Sequence, residues 1–282
     1  MQPELRPPEV RRSRRGRELG ARFATAVLLL PPLALAVWYG APVWPLLLAA
    51  AGVVATKEYY QIVFTRLPAE AWPGIAAAFL LPLLPYAAAD HAAGAAFWIL
   101  TCAAVAAWLV RLWRGSPAGA TATVGHVLAG LLFSGPGLFA LASIRSGADG
   151  REWTLALLLV TWANDGCAYG VGRALGRHRL APVVSPGKTW EGFAGGALGS
   201  LAATLAVWAW LLPSASPLDL SVLAIGTALV GPLGDLAKSM VKRAHGVKDS
   251  GRLLPGHGGL LDRIDALLWN GLVIAALRAG AP

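Results

Sequence analysis

Between Lys242 and Asp265 the chain reads KRAHGVKDSGRLLPGHGGLLDRID, which holds eight formal charges and two histidines in 24 residues. Just upstream, Asp235, Ser239 and Lys242 are spaced i, i+4 and i+7, so on a helix they share one face, with Arg243 beside them. Downstream, Lys248 and Asp249 precede a broken loop ending Pro255-Gly256-His257-Gly258-Gly259, and Asp262 and Asp265 stand three apart, again on one face. Carboxylate oxygens from several places suit a hard cation such as Mg²⁺, and the lysines and arginines suit phosphate. Phosphoryl and nucleotidyl transfers need that combination: metal and cations to neutralise spread charge, and in-line positioning. The glycines let backbone N–H groups approach phosphate oxygens. An ordinary positive loop between charge-paired helix ends would explain the lysines and arginines, but not the aspartates and His-Gly-Gly among them.

A second polar cluster runs from Asp165 through Arg173, Arg177 and Arg179 to Ser185-Pro186-Gly187-Lys188-Thr189-Trp190-Glu191. Gly187-Lys188-Thr189 ends like a phosphate-binding P-loop, but Pro182 stands where that motif requires its first glycine, so the P-loop reading is rejected. Ser185-Pro186 reads as a helix start, with serine as cap and proline at the first position. Such a terminus, with Lys188 close by, could hold an anion.

The elements that carry these clusters are apolar. Of 282 residues, 56% are hydrophobic and 14% charged, against about a quarter charged in soluble domains. An all-α, polytopic integral membrane protein is expected. Nine candidate spans lie at roughly 23–39, 42–56, 73–89, 93–110, 124–143, 153–170, 192–212, 218–236 and 264–279, each near the ~20 apolar residues that a crossing needs. With the N-terminus cytoplasmic, 21 of the 24 lysines and arginines fall on the cytoplasmic side, and only Arg145, Arg151 and Arg278 do not. Both polar clusters then face the cytoplasm. Three parts are expected: a basic cytoplasmic arm over 1–22, N-terminal transmembrane helices over 23–152, and a C-terminal catalytic membrane domain over 153–282. The arm, with seven arginines, resembles the start of a signal peptide, but its apolar stretch runs on into a further span and reads as a retained helix. The formal charge of +9 is assigned to the anionic leaflet rather than to nucleic acid. Cys102 and Cys167 offer neither a disulfide framework nor a zinc site.

Ser239-x-Val241-Lys242-Arg243, Lys248-Asp249-x-Gly251 and Leu254-Pro255-x-His257-Gly258-Gly259-Leu260-x-Asp262-Arg263-Ile264-Asp265 together resemble the C-terminal signature of the phosphatidate cytidylyltransferases, or CDP-diacylglycerol synthases. Asp165 with Ala168-Tyr169, Gly172-Arg173, Ser185-Pro186-x-Lys188-Thr189-Trp190-Glu191-Gly192 and Gly234-Asp235-Leu236 are similar to further family segments, and Glu58-Tyr59-Tyr60 to a Glu-aromatic pair. The resemblance implies that CTP and phosphatidic acid give CDP-diacylglycerol and pyrophosphate, with Mg²⁺ required and a second, monovalent cation left open. It implies a homodimer in the bilayer of the cell inner (plasma) membrane, multi-pass, with its active site facing the cytoplasm. It implies Asp235, Asp262 and Asp265 as metal ligands. Lys188, Asp165, Ser185 and Ser239 would bind substrate, and Lys242, Arg243, Lys248, Asp249, His257 and Arg263 would form the catalytic group. Which cations serve CTP and which the lipid phosphate stays open, as does whether His257 donates to phosphate or only braces the glycine turn. Three positions depart from the family pattern: Gly166 replaces a hydroxyl residue, Gly187 a lysine, and Lys238 an acidic residue. Lys238 could weaken cation binding or merely repel it in a loop. With Asp235, Ser239, Asp262 and Asp265 intact, the chemistry is expected to survive.

Two other enzymes and one other class compete. A CTP-dependent lipid-alcohol kinase would share part of the signature. A CDP-alcohol phosphatidyltransferase would need an Asp-Gly-x-x-Ala-Arg segment, whereas Asp165-Gly166 is followed by Cys167-Ala168-Tyr169-Gly170. A transporter would place charge near the bilayer midplane and pair broken helices, whereas the charges here gather at one end of the spans.

Overall fold

The computed structural model describes residues 30–251, Leu253 and 258–280. Within the described residues each of the nine apolar segments overlaps helix: α1 (Leu30–Tyr39), α2 (Val43–Val63), α3 (Ala71–Leu80) continued by α4 (Leu84–Ala87), α5 (Ala92–Trp113), α6 (Ala120–Ser146), α7 (Gly150–Leu175), α8 (Trp190–Trp210), α9 (Pro217–Ala244) and α10 (Leu261–Gly280). Among the described residues, four stretches are long and apolar enough to cross a membrane: Ala89–Trp113, Ala120–Ser146, Trp190–Trp210 and Pro217–Ala244. Helix α5 turns Phe97, Trp98, Val105, Leu109 and Leu112 outward, an apolar face suited to lipid rather than water.

Several helices outrun the apolar segments that announce them, because polar residues can continue a helix once its apolar part is packed. Helix α7 continues to Leu175, which leaves Asp165 well inside it rather than at its end, and α9 continues to Ala244, which brings Asp235, Ser239 and Lys242 onto one helix. The start of α9 is fixed by Ser216. Its hydroxyl accepts the Asp219 N–H at 3.2 Å while the Asp219 carboxylate accepts the Ser216 N–H at 2.9 Å, with Pro217 at the first position.

The chain is almost entirely helical, as an all-α protein should be, and among the described residues one hairpin interrupts it: β1 (Arg179–Ala181) pairs antiparallel with β2 (Ser185–Thr189). Ser185-Pro186 is therefore strand and not the predicted helix start. Proline biases the residue before it toward extended backbone, and a two-stranded ribbon has free edges that tolerate it. The cap of α8 is instead Thr189, whose Oγ1 accepts the Gly192 N–H at 3.1 Å.

Small residues seat α7 against α8. A Cβ at Gly195 would lie 2.6 Å from Val171, and one at Gly199 2.7 Å from Cys167, so the backbones approach closely. Asn164 Nδ2 crosses that seam to Ser200 Oγ at 2.9 Å, and Asn270 Nδ2 joins α10 to Thr161 Oγ1 of α7 at 3.0 Å. Trp44, Tyr60, Leu138, Trp153, Leu157, Leu223, Leu268 and Ile274 are buried in the main core.

The far ends of α1, α6, α7 and α10 are joined by three arginines. Arg145 donates to the carbonyls of Val37 and Trp38, at 2.8 and 3.2 Å. Arg151 lies 4.7 Å over the Trp38 ring and bonds Glu152, and Arg278 donates to the Ala148 carbonyl at 2.7 Å.

Candidate active site

The hairpin leads into α8 without a linker, so Lys188 sits one residue before the helix cap and its side chain is aimed by both elements. It reaches across to α9, where its Nζ lies 2.6 Å from Asp235 Oδ2 and 3.3 Å from the Pro232 carbonyl. The two residues line an open cavity of about 620 Å³ bordered by α7, the hairpin, α8 and α9. Asp165, Tyr169, Arg173, Arg179 and Thr189 line it too. The space carries both signs of charge beside apolar wall from Leu180 and Phe193. Glu191 holds the base of the hairpin, because its carboxylate accepts the N–H of Arg177 at 3.1 Å and lies 2.6 Å from His178 Nδ1.

From Asp235 a line of ion pairs runs away from the cavity. Lys238, 4% exposed, places Nζ 3.1 Å from Asp235 Oδ1, 3.2 Å from Asp262 Oδ1 and against Asp265 Oδ2. Lys242 Nζ adds a 2.7 Å bond to Asp262 Oδ1. Signs alternate from Lys188 to Asp235, Lys238, Asp262 and Lys242. The Asp262 carboxylate is thus held by the two lysines, and it also accepts the Ser250 N–H at 2.8 Å.

Asp262 and Asp265 are positioned from a distance by Glu58 of α2. This carboxylate is 4% exposed; Oε1 accepts the Leu260 N–H at 3.0 Å, and Oε2 accepts the Leu261 N–H at 2.8 Å. It thus satisfies donors at the start of α10 that the helix cannot satisfy itself. Ser250 Oγ lies 3.2 Å from Glu58 Oε2 and 3.0 Å from Asp262 Oδ2, and the Ser250 N–H donates to Asp262 at 2.8 Å. Gly251 and Gly259 leave the room that Glu58 takes; a Cβ on either would meet its carboxylate within 2.6 Å.

The structure thus brings together Lys188, Asp235, Lys238, Lys242, Asp262 and Asp265, with Ser239 buried beside them on α9 and Asp165 across the cavity. Ser185, at the far end of β2, is not among the residues lining the cavity. Arg243 bonds the carbonyls of Val184 and Val247, tying the hairpin tip to the end of α9. Lys248 and Asp249 are exposed in the following loop, and Arg263 is exposed on α10. His257 lies outside the described residues. Sequence reasoning left Ser250 unassigned and treated Glu58 only as part of a family pair. Glu58 carried a detectable signal, being a carboxylate inside an apolar helix. Lys238 is not in a loop: it is on α9, with its ammonium among the three carboxylates.

Asp235, Asp262, Asp265 and Ser239 are hard oxygen donors of the kind that Mg²⁺ takes. As arranged, however, the carboxylates close around an ammonium group. Among the described residues no three His, Cys, Asp or Glu side chains are grouped so as to hold a metal ion. The cluster in this form does not fit a bound divalent ion.

Comparison with known proteins bears on what this arrangement serves. A family profile described as "Cytidylyltransferase family" matches residues 20–279. The chain belongs to this family. Among relatives of this cytidylyltransferase chain, the phosphatidate cytidylyltransferase of Brucella suis is 36% identical over 258 residues, 89% of each chain. That of Mycobacterium bovis is 31% identical over 286 residues, 93% of this chain and 88% of the relative. That of Staphylococcus saprophyticus is 42% identical over 142 residues, 50% of this chain and 54% of the relative.

Proposed function

We propose that the chain is a phosphatidate cytidylyltransferase, converting CTP and phosphatidic acid to CDP-diacylglycerol and pyrophosphate. The observation that carries this is the cavity of about 620 Å³ whose wall holds the Lys188–Asp235 pair, opening beside the alternating charges of α9 and α10. Family membership and relatives of that name support it. A lipid phosphate oxygen attacks the α-phosphorus of CTP; one P–O bond forms, the bond to the β-phosphate oxygen breaks, and pyrophosphate leaves with that electron pair. The attacking oxygen is already anionic, so no general base is required, and the protein's work is positioning and neutralising charge. Lys188, Arg173 and Arg179 are the cations facing the cavity, and Lys242 stands behind it. Mg²⁺ is proposed as the counter-ion that the nucleotide brings.

The same reading holds that all nine helical segments cross the bilayer of the inner (plasma) membrane in a multi-pass chain. The N-terminus and the cavity face the cytoplasm, residues 153–282 form the catalytic part, and the chain works as a homodimer. The distribution of 21 of 24 basic residues supports the orientation, since lysine and arginine accumulate on the cytoplasmic side. The basic arm over 1–22 lies outside the described residues.

The test is purified protein in detergent with labelled CTP, Mg²⁺ and phosphatidic acid, following label into the organic phase. Labelled CDP-diacylglycerol that disappears with EDTA is expected. Label from γ-labelled CTP on a lipid alcohol, with none from the base, would replace this reading with a CTP-dependent lipid kinase. Folded protein that labels no lipid would leave the reading without support and reopen transport.

A further inference from the structure

We infer that the Lys238 ammonium is a built-in cation that takes the place of a metal ion among Asp235, Asp262 and Asp265, so that this cluster does not hold a divalent ion in the absence of nucleotide. The inference rests on reading the cluster as part of the transfer site, but it concerns the chain's own charges and is tested without turnover.

Three observations carry it. First, one nitrogen meets one oxygen of each carboxylate: Asp235 at 3.1 Å, Asp262 at 3.2 Å, and Asp265 in closer contact. A lysine that merely bridged two surface acids would not gather three acids from two helices. Second, Lys238 and Asp265 are both 4% exposed, so neither can be rehydrated in place. A buried charge without a partner is strongly unfavourable, and the ammonium makes these acids compatible with burial. Third, the charges already balance. Lys188, Lys238 and Lys242 face Asp235, Asp262 and Asp265 in one connected set of ion pairs. A dication placed in that set would add two charges to a neutral group and stand at contact distance from the Lys238 nitrogen.

An ammonium and a metal ion are not equivalent. Lysine supplies one charge through three directed N–H donors and cannot polarise a bound phosphate oxygen as a Lewis acid does. Its compensation is permanence: it is covalently tethered, so the carboxylates stay arranged at any metal concentration. An acidic residue at 238 would instead leave a cluster that needs cations to assemble.

The experiment uses full-length detergent-solubilised protein without nucleotide and Mn²⁺ alone as probe, read by the loss of the free-Mn²⁺ electron paramagnetic resonance signal. Wild type is expected to leave that signal unchanged into the millimolar range. Lys238→Gln and Lys238→Glu should bind Mn²⁺ at least about tenfold more tightly, since the contact repulsion is removed. Both variants should also gain thermal stability on adding Mg²⁺, while wild type gains none. Tight Mn²⁺ binding by wild type, equal to that of the variants, would overturn the inference. If neither variant folds, wild type decides alone: stabilisation by Mg²⁺ without nucleotide overturns the inference, and indifference to it supports it. A failed transfer assay would count against the proposed reaction and leave these binding results standing.

Discussion

Glu58 of α2 accepts the backbone N–H of Leu261 at 2.8 Å, across 203 positions of sequence. The start of α10, and with it Asp262 one residue on, is therefore set by a helix from the other half of the chain. Replacing Glu58 with Ala leaves the N–H groups of Leu260 and Leu261 unsatisfied in a buried place, at a cost of about 3 kcal/mol. The expected outcome is a protein with lower thermal stability in detergent and faster hydrogen exchange at 258–265. Unaltered exchange there would show that the loop is held by other contacts.

Asp262→Asn and Asp265→Asn each remove a charge from Lys238 while nearly preserving shape. Turnover is expected to be abolished in both, with the protein still folded by size-exclusion chromatography. Near-normal turnover in both would remove these residues from the site.

Lys188→Met deletes the cation that reaches from β2 to Asp235. The bond of a charged group is worth about 1.5 to 3 kcal/mol, so kcat/KM should fall by roughly 10- to 150-fold. Separate titrations of CTP and phosphatidic acid would show which substrate Lys188 serves. A loss confined to one KM assigns it, and no change in either contradicts its place in the cavity.

Gly195→Leu tests the seam between α7 and α8, where even a Cβ would come within 2.6 Å of Val171. Overpacking of this kind costs about 1 to 3 kcal/mol. Reduced thermal stability together with lost turnover is expected, because the seam carries Asp165 on one helix and follows Lys188 on the other. Unchanged melting would mean that the helices separate without consequence.

The positions of the helices were legible because burial in lipid demands long apolar runs, and the polar residues of α9 and α10 were legible because charge is costly beside such runs. Two features were not. Ser185-Pro186 carries a helix-start pattern, but Thr189 four residues later is an equally good cap, and only the pairing of β2 with β1 decides between them. Lys238 was visible as an unexpected residue, yet its environment depends on Asp262 and Asp265 approaching from α10, a tertiary contact that spacing along α9 does not encode.

Arg145, Arg151 and Arg278, which the proposed orientation sets apart from the other 21 basic residues, are each engaged within the protein. Arg145 and Arg278 bond backbone carbonyls where helices end, and Arg151 is neutralised by Glu152 and shielded by Trp38. Lysines and arginines bias a chain's orientation as it inserts, before any such contact exists, so on the proposed orientation these three work against it while it is being chosen and stabilise the fold afterwards. On the proposed orientation, the seven arginines in the first 22 residues have a use in biogenesis: a margin wide enough for three opposed charges that the finished fold engages.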